Sequence, residues 1–207
     1  MNALRKPFRY RNDNIALVII GINILVFILQ QILPRIGYYI ALNPINILNG
    51  RIWQFGTYMF AHGSFQHLLF NMLALFIFGT QVERHIGSTE FLLYYMLTGI
   101  LAGFFSFGVY LFTGAFGVFL LGASGAIFAV QLAYAAFFPD SVIYIWGILP
   151  LRAPIMVLGF TLVELISSLF GFGSGVAHLT HLAGFGFGWF YFLVRFGRNP
   201  WRAMVGR

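Results

Sequence analysis

The chain has 207 residues, of which 60% are hydrophobic, 19% aromatic and only 8% charged, and it contains no cysteine. A soluble domain carries about 25% charged residues, so the composition excludes an ordinary water-exposed enzyme and a disordered chain; the missing cysteines exclude a disulfide scaffold, an iron–sulfur centre and a thiol nucleophile. The net charge of +7 does not point to nucleic acid, because the basic residues sit at the ends and between apolar runs, the pattern of an integral membrane protein.

A helical span needs about 20 mostly apolar residues, and the chain offers six. A basic segment, 1–13, precedes a first span over 15–33, which Asn12, Asp13 and Asn14 are expected to cap and Pro34 to stop. It is too long for a cleavable signal peptide, and no small-x-small site follows it. Residues 34–65 are too many for a tight connection, yet rich in Ile, Leu, Phe and Trp. Such a half-apolar segment is expected to lie in the membrane interface, with Tyr38, Tyr39, Trp53 and Tyr58 at the polar boundary; the alternative is a plain loop covering the bundle. The second span runs over 66–80, the third over 90–112 and the fourth over 120–138, stopped by Pro139-Asp140. The fifth runs over 153–170 and the sixth over 177–196, before a basic tail at 197–207. Span five and the outer loop Gly171 to Gly175 are the expected moving parts, since glycine loosens the backbone.

Lys and Arg set the orientation. With both termini inside, ten of the 12 basic residues fall on the inner side, and only Arg35 and Arg51 fall outside. The expectation is therefore a single six-span domain over 1–207 with both termini in the cytoplasm.

Polar side chains inside spans are few, and such residues often mark function. They are His67 and Asn71 on span two, Ser124 and Gln131 on span four, Glu164 on span five, and His178 and His181 on span six. Given the topology, the outer ends of spans two, four and six bring theirs to nearly one depth. Ser124 lies in Gly122-Ala123-Ser124-Gly125, where small neighbours leave room for a substrate carbonyl; a packing serine is the alternative. His181, Gly184 and Gly188 share a helical face. The Gly184/Gly188 pair can meet the stripe Gly125, Ala129, Ala133 at close range, which would bring His181 to Ser124 as a general base. His67 and Asn71, at i and i+4, are either oxyanion donors or interhelical glue.

Other readings stay open on the residues alone. His178 and His181 with His62 and His67 could bind a metal, although no HExxH pattern occurs. Glu164 could serve a proton relay in a six-span transporter or channel, orient His181, or be a hydrogen-bonded structural group.

Taken together, His62-x4-His67-x3-Asn71, Gly122-x-Ser124-Gly125 and His181-x2-Gly184-x3-Gly188, in order on spans two, four and six behind a long first outer loop, resemble the rhomboid family of intramembrane serine proteases. The segment from Glu83 to Ser88 resembles the family as well, and the resemblance covers nearly the whole chain. It implies an all-α, polytopic six-transmembrane-helix bundle with a long interfacial first outer loop. Ser124 is then the nucleophile and His181 the base of a dyad. His67, Asn71 and the Ser124 N–H bind the oxyanion, and Gly122, Gly125, Gly184 and Gly188 pack the helices at the site. No metal or organic cofactor is implied. The implied partners are transmembrane protein substrates and the lipid bilayer, with no nucleic acid, and the setting is a prokaryotic plasma membrane. Two departures stand out. The family's first-loop Trp-Arg pair is Trp53-Gln54 here, which leaves the anchoring of that loop open. Phe128 stands where some members carry a tyrosine stacked on the catalytic histidine. A rhomboid-like protein that binds membrane helices without cutting them is the remaining alternative.

Overall fold

A computed structural model describes residues 5–145, 147–170 and 175–206. Six long helices dominate them: α1 Ile15–Ile32, α2 Phe65–Ile86, α3 Ser88–Thr113, α4 Ser124–Phe137, α5 Ala153–Phe170 and α6 Gly175–Tyr191. The chain is an all-helical membrane protein: α1, α2, α3 and α5 are each long and apolar enough to cross a bilayer. Their outward faces carry exposed Leu25, Ile28, Phe104, Leu162 and Leu165, among other apolar residues. In water such a surface would aggregate; in lipid it is solvated.

The centre is α4, and its sequence explains why. Gly125, Ala126, Ala129, Ala133, Ala135 and Ala136 are all buried, and their small side chains let the neighbouring helices close in on every side. It is shorter than the 120–138 expected from hydropathy, with 14 residues. Residues 115–123 instead run as an irregular strap beneath the first outer loop, where buried protein and not lipid satisfies the backbone. Leu42 and Leu120 exchange both backbone hydrogen bonds, at 2.9 and 2.8 Å. Asn43 Nδ2 donates to the carbonyls of Phe116 and Val118, each at 3.0 Å.

That outer loop is built of short helical turns, Arg35–Ile40, Pro44–Leu48 and Gln54–Thr57, the second opened by Asn43 and Pro44 in the usual capping arrangement. Tyr58 is not an interfacial residue: it is 1% exposed, and its hydroxyl donates to the Gly99 carbonyl on α3 at 2.7 Å. Gln54 takes over the anchoring role left open above. Fully buried, it accepts from Asn43 N at 3.1 Å and donates to the Tyr39 carbonyl at 3.1 Å, while Trp53 Nε1 donates to the same carbonyl at 3.1 Å.

The start of α1 differs from expectation. Asn14 is at the N-cap with φ 58° and makes no side-chain cap. The first amides of α1 are capped from α2 instead: Glu83 Oε1 accepts from Ile15 N at 2.7 Å and Oε2 from Ala16 N at 2.8 Å. A carboxylate there satisfies orphan donors and faces the positive end of the helix dipole. Ser88 Oγ supports it, donating to Glu83 Oε1 at 2.5 Å and accepting from Asp13 N at 2.7 Å.

Both chain ends meet at the opposite end of the bundle from Ser124. Arg5 Nε donates to the Val194 carbonyl at 3.2 Å, and the Arg195 guanidinium lies 4.5 Å from the Phe8 ring centroid. Arg195 also grips Glu90 at the base of α3, which accepts from the Tyr191 hydroxyl as well. At the same end Val142–Ile145 and Leu149–Arg152 form an antiparallel hairpin, an element the hydropathy reading does not foresee. The anticipated mobile loop lies over residues 171–174, outside the described residues; Gly175 already begins α6.

Candidate active site

Ser124 is the first residue of α4. Its N–H therefore belongs to the opening turn, whose donors have no intrahelical acceptor and point out at the positive end of the dipole. Gly122 makes the approach possible. It has φ +115°, a conformation side chains resist, and a β-carbon built there would stand 2.7 Å from His67 Cε1 and 2.8 Å from Nε2. Its N–H donates to the Tyr58 carbonyl at 2.9 Å, so the outer loop fixes the turn that carries the serine.

His181 reaches Ser124 because α6 lies against α4 with almost nothing between them. A β-carbon on Gly184 would overlap the Gly125 carbonyl oxygen, and one on Gly188 would meet Ala129 Cβ at 2.9 Å and the Tyr94 hydroxyl at 2.6 Å. A β-carbon on Gly125 would meet Ala102 Cβ and Thr180 Cγ2, each at 3.3 Å. At that separation His181 Nε2 lies 2.7 Å from Ser124 Oγ. Phe128, one turn along α4, stacks on the imidazole at 4.8 Å with 7° between ring planes. The ring is thus held by packing without a tyrosine hydroxyl.

Ser64 opens α2 by accepting from His67 N at 3.1 Å. His67 and Asn71 follow on one face, and both line a cavity of about 450 Å³ with Ser64, Gln66, Ser124 and His181. Asn71 Nδ2 donates to the His67 carbonyl at 3.0 Å, which holds the amide in place and leaves its second hydrogen for another acceptor. His62 does not line this cavity. It is 1% exposed, its backbone is bracketed by Gln30 of α1, and its ring meets His67 edge-on at 5.1 Å. Burial, with His67 beside it, pushes the His62 imidazole down to about 4. A neutral wedge behind His67 is its structural role, and nothing in its spacing from His67 announces one.

Glu164 on α5 is the group the sequence left open. Its Oε2 lies 2.5 Å from His178 Nδ1 and 3.1 Å from His181 Nδ1. The second contact is close but off the line of a directed hydrogen bond. These three could be taken for a metal set. A tetrahedral zinc with bonds of about 2.0–2.2 Å keeps its ligand atoms roughly 3.3 Å apart, whereas one oxygen here sits 2.5 Å from its neighbour, a hydrogen-bond separation. As arranged, the three atoms are not spaced as the ligands of a tetrahedral zinc.

Chemically, the arrangement offers a hydroxyl beside an imidazole, converging N–H donors, and a cavity with both polar and apolar walls. The family model described as the Rhomboid domain matches residues 49–198. The rhomboid protease GlpG of Haemophilus influenzae is 28% identical over 180 residues, covering 86% of this chain and 90% of its own. The rhomboid protease GlpG of Klebsiella pneumoniae is 32% identical over 179 residues, covering 80% of this chain and 57% of its own. YdcA of Bacillus subtilis is 37% identical over 90 residues, covering 44% of this chain and 43% of its own. The matched stretch is thus most of the Haemophilus protein but under two thirds of the other two.

Proposed function

From the premise that the chain belongs to the rhomboid family, we propose that it is an intramembrane serine endopeptidase that cuts transmembrane segments of membrane proteins near the outer surface. The observation that carries this reading is the 2.7 Å approach of His181 Nε2 to Ser124 Oγ at the mouth of the cavity. His181 takes the hydroxyl proton as Ser124 attacks the scissile carbonyl, then delivers it to the leaving amine. The Ser124 N–H, His67 and Asn71 hold the oxyanion. Water entering past Ser64 and Gln66 resolves the acyl-enzyme, with His181 again as base. No metal or organic cofactor takes part.

In this reading the chain is one domain of six spans, with α4 and α6 as the two short central ones. It sits in a prokaryotic plasma membrane with both termini cytoplasmic. Substrates carry small or helix-weakening residues near the cut, because a fully hydrogen-bonded helix cannot present its carbonyl to a nucleophile.

The test is incubation of the purified protein with a single-span substrate bearing small residues at its outer boundary, beside Ser124→Ala and His181→Ala. The expected result is cleavage by the parent protein and none by either variant, with products sized by mass spectrometry. Equal cleavage by Ser124→Ala would overturn the assignment.

A further inference from the structure

We propose that Glu164 is a positioning residue for His181, holding the imidazole of the Ser124–His181 dyad from the side away from the serine. The inference rests on the reading of Ser124 and His181 given above. For Nε2 to accept the serine proton, the imidazole must carry its own proton on Nδ1. The acceptor facing Nδ1 is Glu164 Oε2, 3.1 Å away, on the opposite side of the ring from Ser124.

The carboxylate is itself held in place. His178, one turn before His181 on α6, comes within 2.5 Å of the same oxygen through Nδ1, so both histidines of the i, i+3 pair turn toward α5. The side chains of Glu164, His178 and His181 are only 16%, 23% and 19% exposed. A carboxylate at this depth is expensive unless paired; here His178 pairs it and leaves the same oxygen facing the base of the reaction.

The proton inventory closes without moving a proton to Glu164. As the Oγ–C bond forms, the Ser124 proton passes to His181 Nε2, and the ring becomes a cation that keeps its Nδ1 proton. The carboxylate faces that charge, so the off-line 3.1 Å contact tightens as charge develops. When the C–N bond breaks, the Nε2 proton leaves with the amine and the ring returns to neutral. The ionisable groups around the ring are Ser124 on α4, Glu164 on α5, His178 on α6 and His67 on α2, with Phe128 stacked on its face. Glu164 is the anion among them.

The test compares parent protein, Glu164→Gln and Glu164→Asp on the same single-span substrate. Fluorophosphonate labelling of Ser124 and thermal unfolding are read on each. The glutamine variant is expected to lose roughly 10²-fold or more in kcat, the scale of a general-base contribution, with KM within about twofold. Glu164→Asp, which keeps the charge, recovers part of the rate. Glu164→Gln with parental kcat would overturn the proposal. So would equal loss in both variants together with loss of the unfolding transition, which would mark a structural role. Labelling needs no peptide substrate, so slower labelling of Glu164→Gln still supports the proposal if the cleavage reading fails.

Discussion

His62 and Asn71 lie on either side of His67, and each predicts a different measurement. His62 is neutral in the folded chain, with its imidazole held at about 4 by burial, against about 6.5 when unfolded. Between those values the unfolded state binds the extra proton. Stability therefore falls as pH drops from about 6.5 toward 4, by up to about 1.4 kcal/mol per pH unit. Thermal unfolding in detergent across that window should show the loss, and His62→Gln should flatten it. In the proposed mechanism Asn71 is an oxyanion donor. Asn71→Ala removes one oxyanion donor and should lower kcat by at most about 10²- to 10³-fold, leaving thermal stability near that of the parent, since its visible partner is a carbonyl of its own helix. At this scale the sequence was informative where function concentrates residue types and silent where geometry decides. Ser124, His181, His67 and Asn71 stand out as polar groups at one depth, but whether Glu164 touched His181 depended on the angle at which α5 crosses, which no spacing encodes.

Among the elements, two contacts carry the arrangement. Gly184 lets α6 rest on the Gly125 carbonyl, and no side chain fits between them. Gly184→Ala forces the helices apart, with an expected loss of about 1–3 kcal/mol, and widens the gap between His181 and Ser124. Peptidase activity should fall at least tenfold even at temperatures where the variant stays folded. Glu83 is the second. Glu83→Ala orphans the amides of Ile15 and Ala16, and about 1–3 kcal/mol should disappear from the unfolding free energy, with proteolysis rising first at the start of α1. The positions of the helices were legible because long apolar runs bounded by Pro, Gly and charge leave little freedom. The cap of α1 was not, because the capping residue lies some seventy positions downstream. The hairpin over 142–152 escaped because Pro150 argues against a strand, although Tyr144–Gly147–Ile148 supplies the turn, with Gly147 at φ +71°. The opening of α4 was misplaced because Leu120 and Leu121 read as span, whereas the backbone there pairs with the outer loop.

For the molecule as a whole, the lack of cysteine makes single-cysteine mapping direct. Ile52 is exposed on the outer loop and Trp201 on the terminal helix at the far end. On intact cells a membrane-impermeant maleimide should label Ile52→Cys and spare Trp201→Cys; the reverse pattern would invert the proposed orientation. The even passage of the chain is what its basic residues lead one to expect, and this labelling tests it. The lateral spread of the outer loop, held by Gln54 and Asn43, was not readable, because those contacts join segments far apart in sequence.

The fifth helix is uneven in how it is held. Its buried residues, Ala153, Pro154, Met156 and Val157, all lie in the first turns, while Val163, Ile166 and Leu169 further along are exposed. Its other face, through Leu158, Thr161, Glu164 and Ser168, stays partly buried along the length of the helix, and Glu164 fastens it to α6 through His178. Any shift of α5 against α6 would therefore part the carboxylate from both histidines at once, so one contact serves bundle packing and imidazole placement together.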